Sequence, residues 1–341
     1  MLFFECDYNN GAHPAVLERL IDTNKDSQTG YGEDEYTAMA SAKIKEFCHA
    51  PDAKVYLLNG GTQANLVVLT AILRPFEGVL SAVTGHIHAH EAGALENAGI
   101  KILPLQGDRG KVNYEELKRY LEKFYEDENR EHMVFPGALY ISHPTEYGTI
   151  YSKKELYELS ALCKKYSIRL FLDGARLGYG LMSKKTDVTI DDIVHTCDVF
   201  YIGGTKVGAL CGEAVVFPSG KMPDHFANHV KKLGAMLAKG RLLGVQFDAL
   251  FTDDLYLKIS EHAINMADEL KKLLHRKQIR FFLETDTNQQ FVIIQNDRLK
   301  ELQKQVKVSY WEPYDDSNTV VRFATSWSTT TEDLMKLESI L

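Results

Sequence analysis

The chain of 341 residues lacks an excess of basic charge: 39 Lys and Arg stand against 47 Asp and Glu, for a formal net charge of −8. A nucleic-acid surface normally carries the opposite sign, so no nucleic-acid partner is expected. No apolar run approaches the ~18 residues of a membrane span, so no membrane partner is expected either. The opening Met1-Leu2-Phe3-Phe4-Glu5 has neither the basic region nor the long apolar stretch of a secretory signal. Cysteine is sparse: Cys6, Cys48, Cys163, Cys197 and Cys211 are odd in number and form no CxxC. That pattern argues against a disulfide or zinc framework and for reduced thiols. Low-complexity linkers and internal repeats are also missing. What is present, 45% hydrophobic and 25% charged residues, is the composition of a globular protein long enough to bury a sizeable core. The expectation is a cytoplasmic enzyme with one large lobe and one smaller lobe.

The first ~30 residues read as irregular, with Pro14 as a breaker. From Lys54 onward strands and helices alternate. Val55–Leu58, Gly78–Val83, Ile100–Pro104, Ala138–Ser142, Arg169–Asp173, Asp198–Ile202 and Glu213–Phe217 read as strands. Thr62–Leu73 reads as a helix that stops before Pro75. Asn113 with Glu116, and Ser152 with Glu155, read as capping boxes that open two more helices. This alternation predicts an α/β fold with a three-layer large domain and a mostly parallel sheet. After about residue 220 the rhythm changes. A long helical stretch runs from about Asp224 to Lys277, broken near Gly240–Gly244 and Thr252–Asp253. Strands at Phe281–Glu284, Phe291–Ile294 and Thr319–Ala324 follow, with a helix near Asp297–Gln305 and a last helix from about Thr331. The expected division is an N-terminal arm (1–29), a large domain (30–220) and a small C-terminal α+β domain with connecting helices (221–341).

Three features stand where ligands collect in open α/β sheets, beyond the carboxyl ends of strands. In Asn59-Gly60-Gly61-Thr62-Gln63-Ala64-Asn65, glycines and a helix N-terminus can cradle one phosphate. The alternative is an ordinary turn with a Thr cap. In Phe171-Leu172-Asp173-Gly174-Ala175-Arg176, an apolar strand ends in a carboxylate followed by small residues. The alternative is a helix-capping Asp. In Tyr201-Ile202-Gly203-Gly204-Thr205-Lys206-Val207-Gly208, a lysine flanked by glycines can point inward and become a nucleophile. The alternative is a surface lysine. Together, a phosphate cradle, a carboxylate for a pyridinium nitrogen and a lysine that bonds an aldehyde are the three anchors of pyridoxal 5′-phosphate.

These segments resemble the threonine aldolase and β-eliminating lyase family, enzymes with the aspartate aminotransferase type of fold, over nearly the whole chain. Tyr31-Gly32-Glu33-Asp34, Gly60-Gly61-Thr62-Gln63-Ala64-Asn65 and Asp173-Gly174-Ala175-Arg176 match family motifs. Cys6-Asp7-Tyr8 stands in place of a Ser-Asp-Thr stretch. The resemblance implies that Lys206, His86 and Asp173 are catalytic. It implies that Gly60, Gly61, Thr62, His86, Asp173, Arg176, Thr205 and Lys206 bind the cofactor, with His86 stacked on its ring and first candidate for the base. His90 and Glu91 are reserves. Arg322, Arg176, Tyr31 and Asp7 are implied for the amino-acid substrate, with Tyr31 and Arg241 entering from a partner subunit of a homodimer at minimum, expected as a homotetramer. The alternation of His86, His88 and His90 is not expected to hold a metal.

The implied reaction is retro-aldol cleavage of a β-hydroxy-α-amino acid, threonine or allo-threonine, to glycine and acetaldehyde. The sequence departs from the family at Thr205, at Val207 and across Ser142-His143-Pro144-Thr145-Glu146-Tyr147-Gly148, where threonine aldolases carry Glu-Asn-Thr-His. These changes keep β-elimination or transamination of another amino acid as the alternative. A non-catalytic relative would have lost the lysine or the aspartate. A nicotinamide dehydrogenase would need a glycine fingerprint that is missing.

Overall fold

A computed structural model describes residues 1–218 and 222–341. The expected boundary between residues 220 and 221 lies outside the described residues. Strand β1 (Leu2–Phe3) precedes the strands of the main sheet: β2 (Lys54–Leu58), β3 (Glu77–Ala82), β4 (Ile102–Leu105), β5 (Phe135–Ser142), β6 (Arg169–Asp173), β7 (Val199–Gly203) and β8 (Glu213–Phe217). They form a seven-stranded sheet in the order β2-β8-β7-β6-β5-β3-β4. Only β8 runs against its neighbours. The central strands read as continuous apolar runs because helices cover both faces. Their side chains feed two cores, one with Leu80, Leu139, Leu172 and Phe200, the other with Val79, Tyr140, Phe171 and Tyr201.

The C-terminal strands β9 (Arg280–Leu283), β10 (Gln289–Gln295), β12 (Ser309–Asp315) and β13 (Asn318–Ala324) make an antiparallel sheet in the order β12-β13-β10-β9, while β1 pairs with β11 (Val306–Lys307). Strand β12 carries Pro313 and sits at the edge, where a missing backbone donor is tolerated. The long helical stretch divides into Phe226–Lys232, Arg241–Leu250 and Leu255–Arg276. The last of these gives Tyr256, Ile259 and Ala263 to the main core, and Leu270, Leu273 and Leu274 to the core of the small sheet.

Two local expectations are corrected. Pro14 does not break structure; it opens the helix Pro14–Asp22, because a fixed φ and a missing N–H suit the first helical turn. The arm is therefore ordered, with Val16 in the main core and Phe4 in the small one. Asn113 caps its helix, but Glu116 does not complete a capping box. Its carboxylate instead accepts from the backbone N–H groups of Gln106 and Gly107, at 2.6 and 2.9 Å. The box at Ser152 and Glu155 is present as expected.

Candidate active site

All strands of the main sheet except β8 point their carboxyl ends to one edge, and the reversed β8 brings its first residue, Glu213, to the same edge. A hollow of about 280 Å³ lies there, lined by Gly60, Gly61, Thr62, His86, Asp173, Arg176, Thr205 and Lys206. The fold thus gathers the eight residues expected to bind a cofactor.

Close backbone approach builds the floor. A Cβ on Gly174 would lie 2.0 Å from the Tyr201 carbonyl oxygen, and one on Gly203 would lie 2.3 Å from that of Ala175. Only glycine lets the Asp173 and Lys206 loops touch in this way. Tyr179 Oη donates to the Lys206 carbonyl at 2.5 Å. Thr205 Oγ1 donates to Glu213 Oε1 at 2.9 Å, and the Gly204 N–H donates to Glu213 Oε2 at 3.1 Å. Burial pushes the Lys206 amine below its usual range, and the Arg176 charge adds to this while Asp7, Asp173 and Glu213 oppose it. Burial likewise raises the Glu213 carboxyl. A buried lysine shifted downward is a usable nucleophile.

Asp173 ends β6 and is buried. It does not cap the following helix, whose cap is Arg176. Its Oδ1 accepts from the Ala175 N–H at 3.0 Å, and its Oδ2 accepts from Tyr140 Oη at 2.5 Å and Asn65 Nδ2 at 3.3 Å. Asn65 also donates to Glu91 Oε1 at 2.7 Å, and that oxygen lies 2.8 Å from His86 Nδ1. Because a carboxylate accepts, Nδ1 carries the hydrogen and Nε2 is left to act as an acceptor. The His86 N–H donates to Glu146 Oε1 at 2.9 Å. His86 begins the short helical turn His86–Ala89, so His86, His88 and His90 do not share one face as they would on a strand.

The helix Gly61–Ile72 is capped by Gly60, not by Thr62, and no side chain bonds its free N–H groups. Nothing lies within 4 Å of a Cβ built on Gly60. An anion fits that open helix end.

Asp7 reaches the site from the arm. Arg176 Nε and Nη2 donate to its two oxygens at 2.7 and 3.0 Å, and Asn288 Nδ2 donates at 2.9 Å. Burial alone would raise the Asp7 carboxyl, but the charges of Arg176 and Lys206 hold it down to about 2. Tyr8 follows at the mouth, its ring 5.9 Å from Lys206 Nζ. Arg322 projects from β13 while Val321 and Phe323 turn into the core, as their alternation predicts. Its Nη1 bonds Gln289 Oε1 and its Nη2 bonds the Glu5 carbonyl, both at 2.9 Å, and its buried Nε has no protein partner. Burial and the Arg176 charge push it down to about 10. Tyr31 does not line this hollow; it is 54% exposed, in a separate surface recess. Arg241 bonds the carbonyls of Thr23 and Asp26 in its own chain.

Sequence reasoning missed Tyr140, Asn288, Glu213 and the part played by Glu146. The available signal was a polar residue inside, or at either end of, an otherwise buried strand.

Lysine, carboxylate and open helix end, on one edge of this mixed sheet, define a pyridoxal-phosphate enzyme of the aspartate aminotransferase type of fold. The beta-eliminating lyase family model matches residues 6–297, and the chain belongs to that family. Its cofactor is pyridoxal 5′-phosphate, and it is a lyase that depends on that cofactor. A threonine aldolase from Leishmania major is similar at 37% identity and a TM-score of 0.96, covering 100% of this chain and 98% of that one. A low specificity L-threonine aldolase from Pseudomonas aeruginosa is 28% identical over 273 residues, 80% of this chain and 78% of its own. An aspartate aminotransferase from Thermus thermophilus shares the fold, with a TM-score of 0.70 at 15% identity and coverage of 100% and 92%.

Proposed function

We propose that the protein cleaves the Cα–Cβ bond of β-hydroxy-α-amino acids, taking threonine or allo-threonine to glycine and acetaldehyde. The observation that carries this reading is the convergence, in one hollow, of Lys206, Asp173, the open helix end at Gly60 and a histidine oriented by a buried carboxylate. Bound there, the cofactor supplies an electron sink for charge that develops at the substrate Cα. Lys206, desolvated, offers its amine as the nucleophile that holds the cofactor aldehyde. Asp173 keeps a proton on the ring nitrogen, since an anion beside it favours the protonated form. Gly60, Gly61 and Thr62 would hold the phosphate at the open helix end, with Thr205 and Arg176 lining the same hollow.

His86, which lines the hollow, would lie against the bound cofactor, and its Nε2 would serve as the acceptor for the proton of the substrate β-hydroxyl. Arg322, with its unpartnered Nε, grips the substrate carboxylate with a planar donor fork. Arg176 assists while Asp7 fixes its orientation. The reading includes the two-lobed division with its arm, a cytoplasmic location, and a homodimer at minimum, working as a homotetramer in which Tyr31 serves the partner's site. Sedimentation at working concentration tests the assembly. For the reaction, L-threonine and L-allo-threonine are supplied separately to the cofactor-loaded protein, and acetaldehyde and glycine are assayed. Equal amounts of both products are expected. Release of keto acid and ammonia, or transfer of the amino group to a keto acid, overturns the reading.

A further inference from the structure

The guanidinium of Arg322 is bonded at its tip only. Gln289 Oε1 accepts from Nη1 and the Glu5 carbonyl accepts from Nη2, while the buried Nε has no protein partner. Two bonds at the tip leave the tilt of the guanidinium plane to be set by packing.

That packing comes from Trp311. Arg322 Cζ lies over the indole, 5.6 Å from its centroid, within the ~6 Å over which an aromatic face attracts a cation. Two rings hold the indole in turn, both nearly edge-on. Phe291 of β10 is 4.8 Å away at 72°, and Tyr147 is 5.1 Å away at 79°. Phe291 stands opposite Arg322 in the register of β10 and β13. Tyr147 comes from the main-sheet side, next to Glu146, whose carboxylate accepts the His86 N–H. Its Oη also donates to Glu312 Oε2 at 3.3 Å. The indole is therefore fixed from both lobes.

Strand β12 bends to bring it there. Ser309 pairs with Arg322 and Tyr310 with Val321, but the next pair is Glu312 with Val320. Trp311 is thus the extra residue of a β-bulge, a feature that re-aims a side chain and recurs beside active sites. Its neighbour Tyr310 is 62% exposed, whereas Trp311 is half-buried. We propose that Trp311 is the positioning residue for the substrate carboxylate, its indole face holding the Arg322 guanidinium in the orientation that receives that group. This rests on the reading above that Arg322 grips the carboxylate. An arginine free to leave that orientation weakens apparent affinity by the fraction of time it is out of place. The indole therefore acts on binding and not on the chemical step.

The test uses the cofactor-loaded protein with two probes, glycine and methylamine, each titrated by the change it makes in the visible band. Methylamine carries the amine of glycine without the carboxylate, and neither measurement needs turnover. Trp311→Leu and Trp311→Met fill the space without an aromatic face, Trp311→Phe keeps one, and circular dichroism checks folding. In Trp311→Leu and Trp311→Met the glycine dissociation constant should rise about tenfold, the scale of a partly desolvated cation–π contact, with methylamine binding as in wild type. With L-threonine the rise should appear in KM while kcat holds. Trp311→Phe should recover most of the glycine affinity. An unchanged glycine constant in both Trp311→Leu and Trp311→Met overturns the proposal. An equal loss for glycine and methylamine, or a fall in kcat at constant KM, also overturns it, since the site as a whole would then be disturbed. Arg322→Leu separates the inference from its premise and should weaken glycine more than either Trp311 variant. If Arg322→Leu binds glycine as wild type does, the carboxylate reading falls and this inference with it. If it weakens glycine and the Trp311 variants do not, only the inference falls.

Discussion

Asp7→Asn isolates the ion pair that ties the N-terminal arm to the active-site floor. Wild-type Asp7 is held down to about 2 against an ordinary value of 3.8. At ~1.4 kcal/mol per pH unit, the folded chain therefore favours the Asp7 anion by about 2 kcal/mol. The folded value is depressed, so this stability is present above pH ~4 and is lost as the pH falls from ~4 towards ~2. Asp7→Asn removes it at every pH. It also leaves the Arg176 guanidinium buried without its anion, a change that costs about 3–5 kcal/mol when one partner of a buried pair is deleted. Because the Asn carbonyl still accepts one hydrogen bond, the lower end, ~3 kcal/mol, is expected at pH 7. The assay is urea unfolding at fixed excess cofactor, at pH 7 and pH 3, on wild type, Asp7→Asn, Arg176→Gln and the double variant. The gap between wild type and Asp7→Asn should narrow by about 1 kcal/mol at pH 3, midway through the loss. The double variant should cost at least ~1 kcal/mol less than the sum of the singles, because the two side chains touch. A gap that does not change with pH, together with additive single variants, refutes the reasoning.

Lys206→Ala should take up no borohydride-reducible visible band and show no turnover, while its circular dichroism matches wild type; a variant that keeps the band refutes the assignment of Lys206. Glu91→Leu removes the acceptor at His86 Nδ1, and kcat should fall about 10²-fold with KM little changed; a KM rise at constant kcat would place Glu91 in substrate binding instead. Gly174→Ala puts a Cβ 2.0 Å from the Tyr201 carbonyl oxygen. It should cost about 3 kcal/mol in unfolding experiments, the upper end for an added group in a packed site, and weaken cofactor uptake; wild-type stability would mean the two loops can part.

The sheet was legible where strands are buried on both faces. Arg169–Asp173 and Glu213–Phe217 occupy the residues their apolar runs indicate. The helix Glu35–Phe47 was not legible, because it buries only Ala40 and Ile44 and shows no clear stripe. Strand β12 was hidden by Pro313, which reads as a break unless the strand is known to be an edge. At the site, Gly60, Asp173 and Lys206 were legible because glycines and a charged residue interrupt apolar runs there. The partners were not. Asp7 meets Arg176 across 169 positions, and Asn65 meets Asp173 across 108. Such pairings follow from strand order, which local spacing does not encode.

Local charge follows the same logic. The net −8 of the chain sits uneasily with a site that must hold a phosphate and a carboxylate. Counting residues deepens the difficulty, since Asp7, Asp173, Glu91, Glu146 and Glu213 all lie at or beside the hollow, against Lys206, Arg176 and Arg322. Burial resolves it by treating the acids unequally. Asp7, with three cations around it, is held as an anion. Glu146 and Glu213 are pushed towards the neutral acid. An acid in its neutral form adds hydrogen-bonding capacity without negative charge, so the hollow stays basic enough for two anions while remaining lined by carboxyl groups.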